Sequence, residues 1–232
     1  METQVVMYAV SVITAVICVV MAYFILDEEK AAKIKILHKM GHGEAYEKVT
    51  FSKKTYWTLL IFASLAVLAT CYYIATRTTV VLDFARLCIT LICLTGAAAN
   101  DVREHRIPNI FPAVLALGGI LCLVLGYLTS QQGWMAYIAS CTIATVATAL
   151  CFGFAFFISK HGIGMGDIKI LCALALAMGV YATCGTIFFG IVSCAVLSVV
   201  LLIIKKKGFK DTLPFGPFIF LGFVISVLMG IY

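Results

Sequence analysis

Charge is what this sequence has least of. Only 12% of its 232 residues are Asp, Glu, Lys or Arg, against 63% hydrophobic residues, and the mean hydropathy is +1.08. An average soluble domain carries roughly 25% charged residues, so a water-soluble globule is excluded. The same apolar excess excludes a solvated disordered coil. Proline is scarce too, with four residues in the chain, which leaves no room for collagen-like or proline-rich low-complexity structure. Ten cysteines are present, but none forms a CxxC pair and all fall in apolar runs. That pattern fits neither a zinc site nor a secreted disulfide framework; it fits cysteine used as a small hydrophobe. What remains is an all-α polytopic membrane protein.

A membrane helix needs about 20 mostly apolar residues. Eight stretches meet or approach that length, over 4–26, 56–76, 81–100, 110–128, 135–158, 168–182, 183–204 and 216–231. The sixth is short, and Gly179 and Gly185 blur its boundary with the seventh, so seven spans are the alternative count. Glu2 precedes the first run and no basic residue does, unlike a cleavable signal peptide; span one is expected to be retained. The whole chain, 1–232, reads as a single membrane domain.

The loop charges choose between the counts. Lys30, Lys33, Lys35, Lys39, Lys48, Lys53 and Lys54 follow span one, and Arg103 and Arg106 follow span three. Lys160 and Lys169 flank the loop after span five, and Lys205, Lys206, Lys207 and Lys210 follow span seven. Fifteen of the 17 basic residues thus lie on alternate loops. The positive-inside rule then gives eight spans with both termini outside. The net charge of +6 reads as topology, so no nucleic-acid partner is expected. The segment 27–55 is the longest polar stretch, a cytoplasmic loop read equally well as a surface-lying amphipathic helix on membrane lipids or as a solvated linker. His38 and His42 lie there without a third ligand nearby, so no metal is expected.

Acidic groups at membrane depth are functional candidates by default. Seven of the 11 acidic residues lie at the terminus or in polar loops, leaving Asp83, Glu104, Asp101 and Asp167 at or near span ends. Asp83 is one turn from Arg86, a spacing that lets them pair on one helix face as a structural contact. Asp101 closes span three and Asp167 opens span six, 66 positions later, at the same cytoplasmic boundary. Gly162, Gly164 and Gly166 alternate before Asp167, leaving backbone that another chain can approach closely. Two carboxylates at one site can share a proton. The charged member then takes a proton from water while the protonated one polarises a scissile carbonyl, which needs neither metal nor cofactor. Helix polarity assigns the ionised role to Asp167, at a helix start, and the protonated role to Asp101, at a helix end.

Three pieces, DVREHRIPN, GMGDIK and PFGPFIFLG, occur in this order at these span ends. Together they resemble the type IV prepilin peptidases, membrane aspartyl proteases of the GxGD type, over roughly residues 80–232. The resemblance implies a multi-pass enzyme of the prokaryotic cytoplasmic membrane whose peptidase core is 80–232. Such an enzyme removes the short basic leader from type IV prepilin-like substrates at the cytoplasmic face, with Asp101 and Asp167 as its catalytic pair. Around that pair, Gly164, Gly166, Pro108, Asn109, Lys169, Pro214, Phe215, Gly216 and Pro217 are the loop residues expected to border the substrate. Pro108 is expected to stop the preceding helix, Asn109 to cap span four and Lys169 to snorkel to the headgroups. Pro214, Gly216 and Pro217 suggest a tight turn at the mouth of span eight. Long bifunctional relatives carry paired CxxC motifs and N-methylate the new terminus; 27–55 has no cysteine, so the short, protease-only members are the better comparison.

Other readings compete. A signal-peptide-peptidase-like or presenilin-like protease would carry a PAL element, which is absent. An ion-coupled transporter could use Asp83, Asp101 and Asp167 as a proton path, but such proteins usually place charges near the midplane and often show repeats. A non-catalytic assembly factor would not need both aspartates.

Overall fold

The computed structural model describes residues 9–20, 67, 81–129, 133–158, 164–203 and 214–231. Within these the regular elements are all α-helices: α1 (Ala9–Val20), α2 (Val81–Glu104), α3 (Ile110–Leu128), α4 (Trp134–Ile158), α5 (Met165–Ile203) and α6 (Gly216–Leu228). Four of them, α2 to α5, are long and apolar enough to cross a membrane, and α1 and α6 are shorter apolar helices. Helix is what hydrocarbon demands, because each backbone N–H and C=O must be satisfied within its own segment. The expectations for segment 27–55, for His38, His42 and Gly162, and for span 56–76 apart from Val67, lie outside the described residues.

The side chains sort by face. Leu87, Leu91 and Leu94 of α2 recur at helical spacing and are fully buried, packed with Ile170, Leu171 and Leu174 of α5 and Phe223 and Val227 of α6. Ala15 and Cys18 of α1, and Val67, join the same core. In contrast, Leu117, Leu121, Phe154 and Phe157 of α3 and α4 are exposed, an arrangement suited to a lipid surround and costly in water. Hydroxyls inside the helices are satisfied locally: Thr90 and Thr95 donate to the carbonyls of Arg86 and Leu91, and Thr186 to that of Ala182. Nine described cysteines are free thiols, as expected of small hydrophobes.

Of the two glycines that blurred the boundary, Gly179 is where the helix breaks. Its φ of 76° and ψ of −170° interrupt α5, a backbone state that is essentially glycine-only. The limb 165–178 runs alongside α3 in the same direction, since Gly166 meets Ile107 at the start of α3 and Gly119 meets Ala177 further along. The limb 180–203 runs antiparallel to α6, with Gly185 against Ser226 and Gly190 against Phe218. Because α6 starts at Gly216 beside Asp101, the second limb returns toward the end from which the first departed. Two helical limbs therefore occupy this stretch, with the reversal at Gly179, earlier than the expected division at 182–183. The first limb is short, about 21 Å at 1.5 Å per residue.

The contact between 180–203 and α6 is made of small residues, as membrane helix pairs require. A Cβ added at Gly222 would overlap the Thr186 carbonyl oxygen and lie 2.6 Å from the Gly190 nitrogen. Backbone cannot yield as a flexible side chain does, so Gly222→Ala is expected to destabilise the protein by about 1–3 kcal/mol through overpacking. Gly153→Ala, which meets nothing within 4 Å, is expected to be neutral or stabilising because alanine is the better helix former. Thermal unfolding of both variants in detergent checks this, with a lowered Tm for Gly222→Ala alone.

Candidate active site

Asp101 sits in the last turn of α2, buried to 6% exposure. The helix ends three residues later because His105 takes a left-handed conformation (φ 49°) and donates its backbone N–H to the Asp101 carbonyl at 2.9 Å, a single-bond αL termination. The stop is thus His105, and Pro108 lies beyond it. Pro108 instead opens the next turn, its carbonyl accepting the Phe111 N–H at 3.3 Å.

The Asp101 carboxyl is held from across the molecule. The backbone N–H of Gly216, 115 positions later, donates to Asp101 Oδ2 at 2.7 Å. Phe215 is the N-cap residue of α6, its carbonyl accepting the N–H groups of Phe218 and Ile219, and a proline stands in the first helical turn. The expected tight turn over Pro214, Phe215, Gly216 and Pro217 is therefore a helix start aimed at Asp101. No side chain fits at Gly216, where a Cβ would lie 2.8 Å from Asp101 Cβ.

Asp167 lies in the first turn of α5. The Gly164 carbonyl accepts the N–H groups of Asp167 and Ile168 at 3.1 and 3.3 Å. The carboxyl folds back over Gly164, so that a Cβ there would come within 2.7 Å of Asp167 Oδ2. At Gly166 a Cβ would lie 3.0 Å from Ile107 Cβ, so this glycine lets the α2–α3 connection rest against the start of α5. Lys169 Nζ reinforces that contact by donating to Asn109 Oδ1 at 3.0 Å. Two expectations are corrected here. Asn109 makes no side-chain cap to α3, its own backbone already being helical (φ −61°, ψ −14°) rather than in the extended form a capping residue takes, and Lys169 is tied to the neighbouring loop.

The two carboxyls interact electrostatically with one another, and His105 interacts with Asp101 in the same way. Asp167 Oδ1 is buried and makes no hydrogen bond among the described residues. Helix polarity does not divide the two roles as simply as the sequence suggested. Asp101 lies both at the C-terminal end of α2 and against the N-terminal end of α6, whose dipoles act on it in opposite senses. Ile107 is a site neighbour that spacing did not single out, whereas His105 lay beside the pair in sequence as a solvated loop histidine and here closes the helix in a left-handed conformation. Among the described residues, no three His, Cys, Asp or Glu side chains come together as a metal site.

Comparison with known proteins bears on the same stretch. Residues 88–199 match the type IV leader peptidase family. A prepilin leader peptidase/N-methyltransferase of Aeromonas hydrophila is 26% identical over 130 residues, covering 56% of this chain and 44% of that protein. The chain thus matches less than half the length of that curated relative. No solved structure matches. The matched stretch, residues 88–199, contains both Asp101 and Asp167 and is similar to the type IV leader peptidase family.

Proposed function

We propose that the protein is an aspartyl endopeptidase that removes the short basic leader from type IV prepilin-like substrates at the cytoplasmic face of a prokaryotic cytoplasmic membrane. The observation that carries this reading is the convergence of a buried Asp101 and a half-buried Asp167, brought from separate helices to one place where their carboxyls interact. A pair that shares one proton holds both halves of the chemistry. The ionised carboxylate removes a proton from water as that water attacks the scissile carbonyl, and the protonated partner donates to the carbonyl oxygen. Collapse of the tetrahedral intermediate returns a proton to the leaving amine and leaves a carboxyl on the leader. Asp167 Oδ1, without a partner among the described residues, is the oxygen free to engage the water.

The surrounding residues support the same reading. Gly164 and Gly166 remove side chains from the mouth of α5, and Gly216 does so at α6, so an extended peptide can reach the carboxyls. Pro108, Asn109, Lys169, Pro214, Phe215 and Pro217 build the two connections that frame this mouth. The alternation of basic loops supports a site on the cytoplasmic side with both termini outside. Methyl transfer is no part of the proposal, since segment 27–55 holds no cysteine.

Co-expression with a prepilin tests it. Wild type is expected to remove the leader, and Asp101→Asn and Asp167→Asn each to lower the rate at least about a hundredfold, the scale of general acid–base catalysis. Normal processing by both variants, folded in the membrane, would overturn the proposal. Gly164→Ala presses a methyl onto the Asp167 carboxyl and is expected to lower kcat by about tenfold or more, as small misplacements of a reacting group do. Quantified leader release at saturating substrate reads that value.

A further inference from the structure

A second group of polar residues lies at the opposite end of α2 from Asp101. Arg86 is buried to 6% exposure in a membrane helix, a placement costly enough to need a reason. Its Nη2 pairs with Asp83, as the sequence suggested. The rest of the group was not legible: the guanidinium lies over the rings of Tyr137, 4.0 Å from the centroid, and Trp134, 5.3 Å away. Both aromatics start α4. Desolvated contacts of this kind are among the stronger cation–π interactions.

Tyr137 then reaches a third helix. Its hydroxyl donates to the Ala177 carbonyl at 2.8 Å. That carbonyl lies two residues before the break at Gly179. One turn along α4, Ser140 Oγ accepts the Val180 N–H at 3.1 Å from the other side of the same break. Tyr137 and Ser140 are three apart and share a helix face. Together they satisfy one carbonyl before the reversal and one N–H after it, where hydrocarbon offers no substitute.

The connection has a consequence for the site. Asp101 and Arg86 are on one helix, α2, and Asp167 and Ala177 are on one limb of α5. The chain of contacts Asp83, Arg86, Tyr137, Ala177 therefore ties together the far ends of the two helices that carry the carboxyls. At the near end they meet through Gly166 on Ile107 and Lys169 on Asn109. With the leucine packing between the two helices already in the core, an attachment at each end restricts their relative slide.

We propose that Tyr137, seated on the Arg86–Asp83 pair, is a positioning residue that sets the spacing of Asp101 and Asp167 from the opposite end of their helices. It touches neither substrate nor the reacting atoms. The proposal rests on the peptidase reading for its kinetic consequence, but its geometric consequence stands independently.

Tyr137→Phe is the informative variant, since it keeps the ring beneath Arg86 and removes only the hydroxyl that reaches Ala177. Tyr127→Phe, on an exposed tyrosine at the end of α3, is the control. In prepilin cleavage by the purified full chain, Tyr137→Phe is expected to lower kcat about ten- to a hundredfold with KM within about twofold, the signature of a lost transition-state alignment. In a cysteine-free background, spin labels at Glu104→Cys and Met165→Cys, both exposed, report the distance between the two helix ends. The distribution is expected to broaden in Tyr137→Phe and to stay narrow in Tyr127→Phe. An unchanged distribution overturns the proposal, whether kcat is retained or falls with thermal stability. If wild type fails to cleave the prepilin, the peptidase reading falls, and the distance distribution still decides the role of Tyr137.

Discussion

The hydrogen bond from the Gly216 backbone to the Asp101 carboxyl is the contact on which the arrangement depends. It closes the helix assembly by bringing the last described helix, α6, onto the end of α2. It also satisfies a buried carboxyl oxygen that would be costly to leave unpaired. Once α6 is seated there, its direction is set, and the returning limb 180–203 must run antiparallel to it along the glycine contact. That limb can return only if the chain reverses, and the reversal at Gly179 limits how far the first limb carries Asp167 from its own turn. The position of one carboxyl thus follows from the restraint on the other.

Membrane surroundings make each irregularity in this framework expensive, so each has an identifiable partner. The end of α2 is closed by His105, the start of α6 by the Phe215 carbonyl, and the break in α5 by Tyr137 and Ser140. Asp167 Oδ1 differs, being buried without a partner among the described residues. Nε and Nη1 of Arg86 are likewise buried without a hydrogen bond, but that guanidinium lies over the rings of Tyr137 and Trp134; an unpartnered carboxyl oxygen beside a second carboxyl suits a group meant to meet water and substrate.

Much of this was legible in the amino-acid order because charge is so sparse. With most acidic residues assigned to loops, Asp101 and Asp167 stood out, and alternating glycines marked the mouth at Asp167. The Asp83–Arg86 pair followed from helical spacing. What stayed hidden was the partner choice between elements far apart in sequence. Asn109 sits where a cap belongs, yet Lys169, 60 residues away, takes its oxygen. Arg86 gave no hint of Tyr137, and Tyr137 none of Ala177, since tertiary packing alone brings them together. The division between the two limbs of α5 was uncertain for a related reason: either glycine permits a break, and packing selected Gly179.

The pH dependence of kcat/KM for prepilin cleavage tests the central claim most directly. A carboxyl pair that works with one shared proton predicts a bell, with activity lost in acid when both groups are protonated and lost in base when both are ionised. A rate that climbs through neutrality to an alkaline plateau would contradict it, pointing instead to a thiol, hydroxyl or amine nucleophile freed by deprotonation.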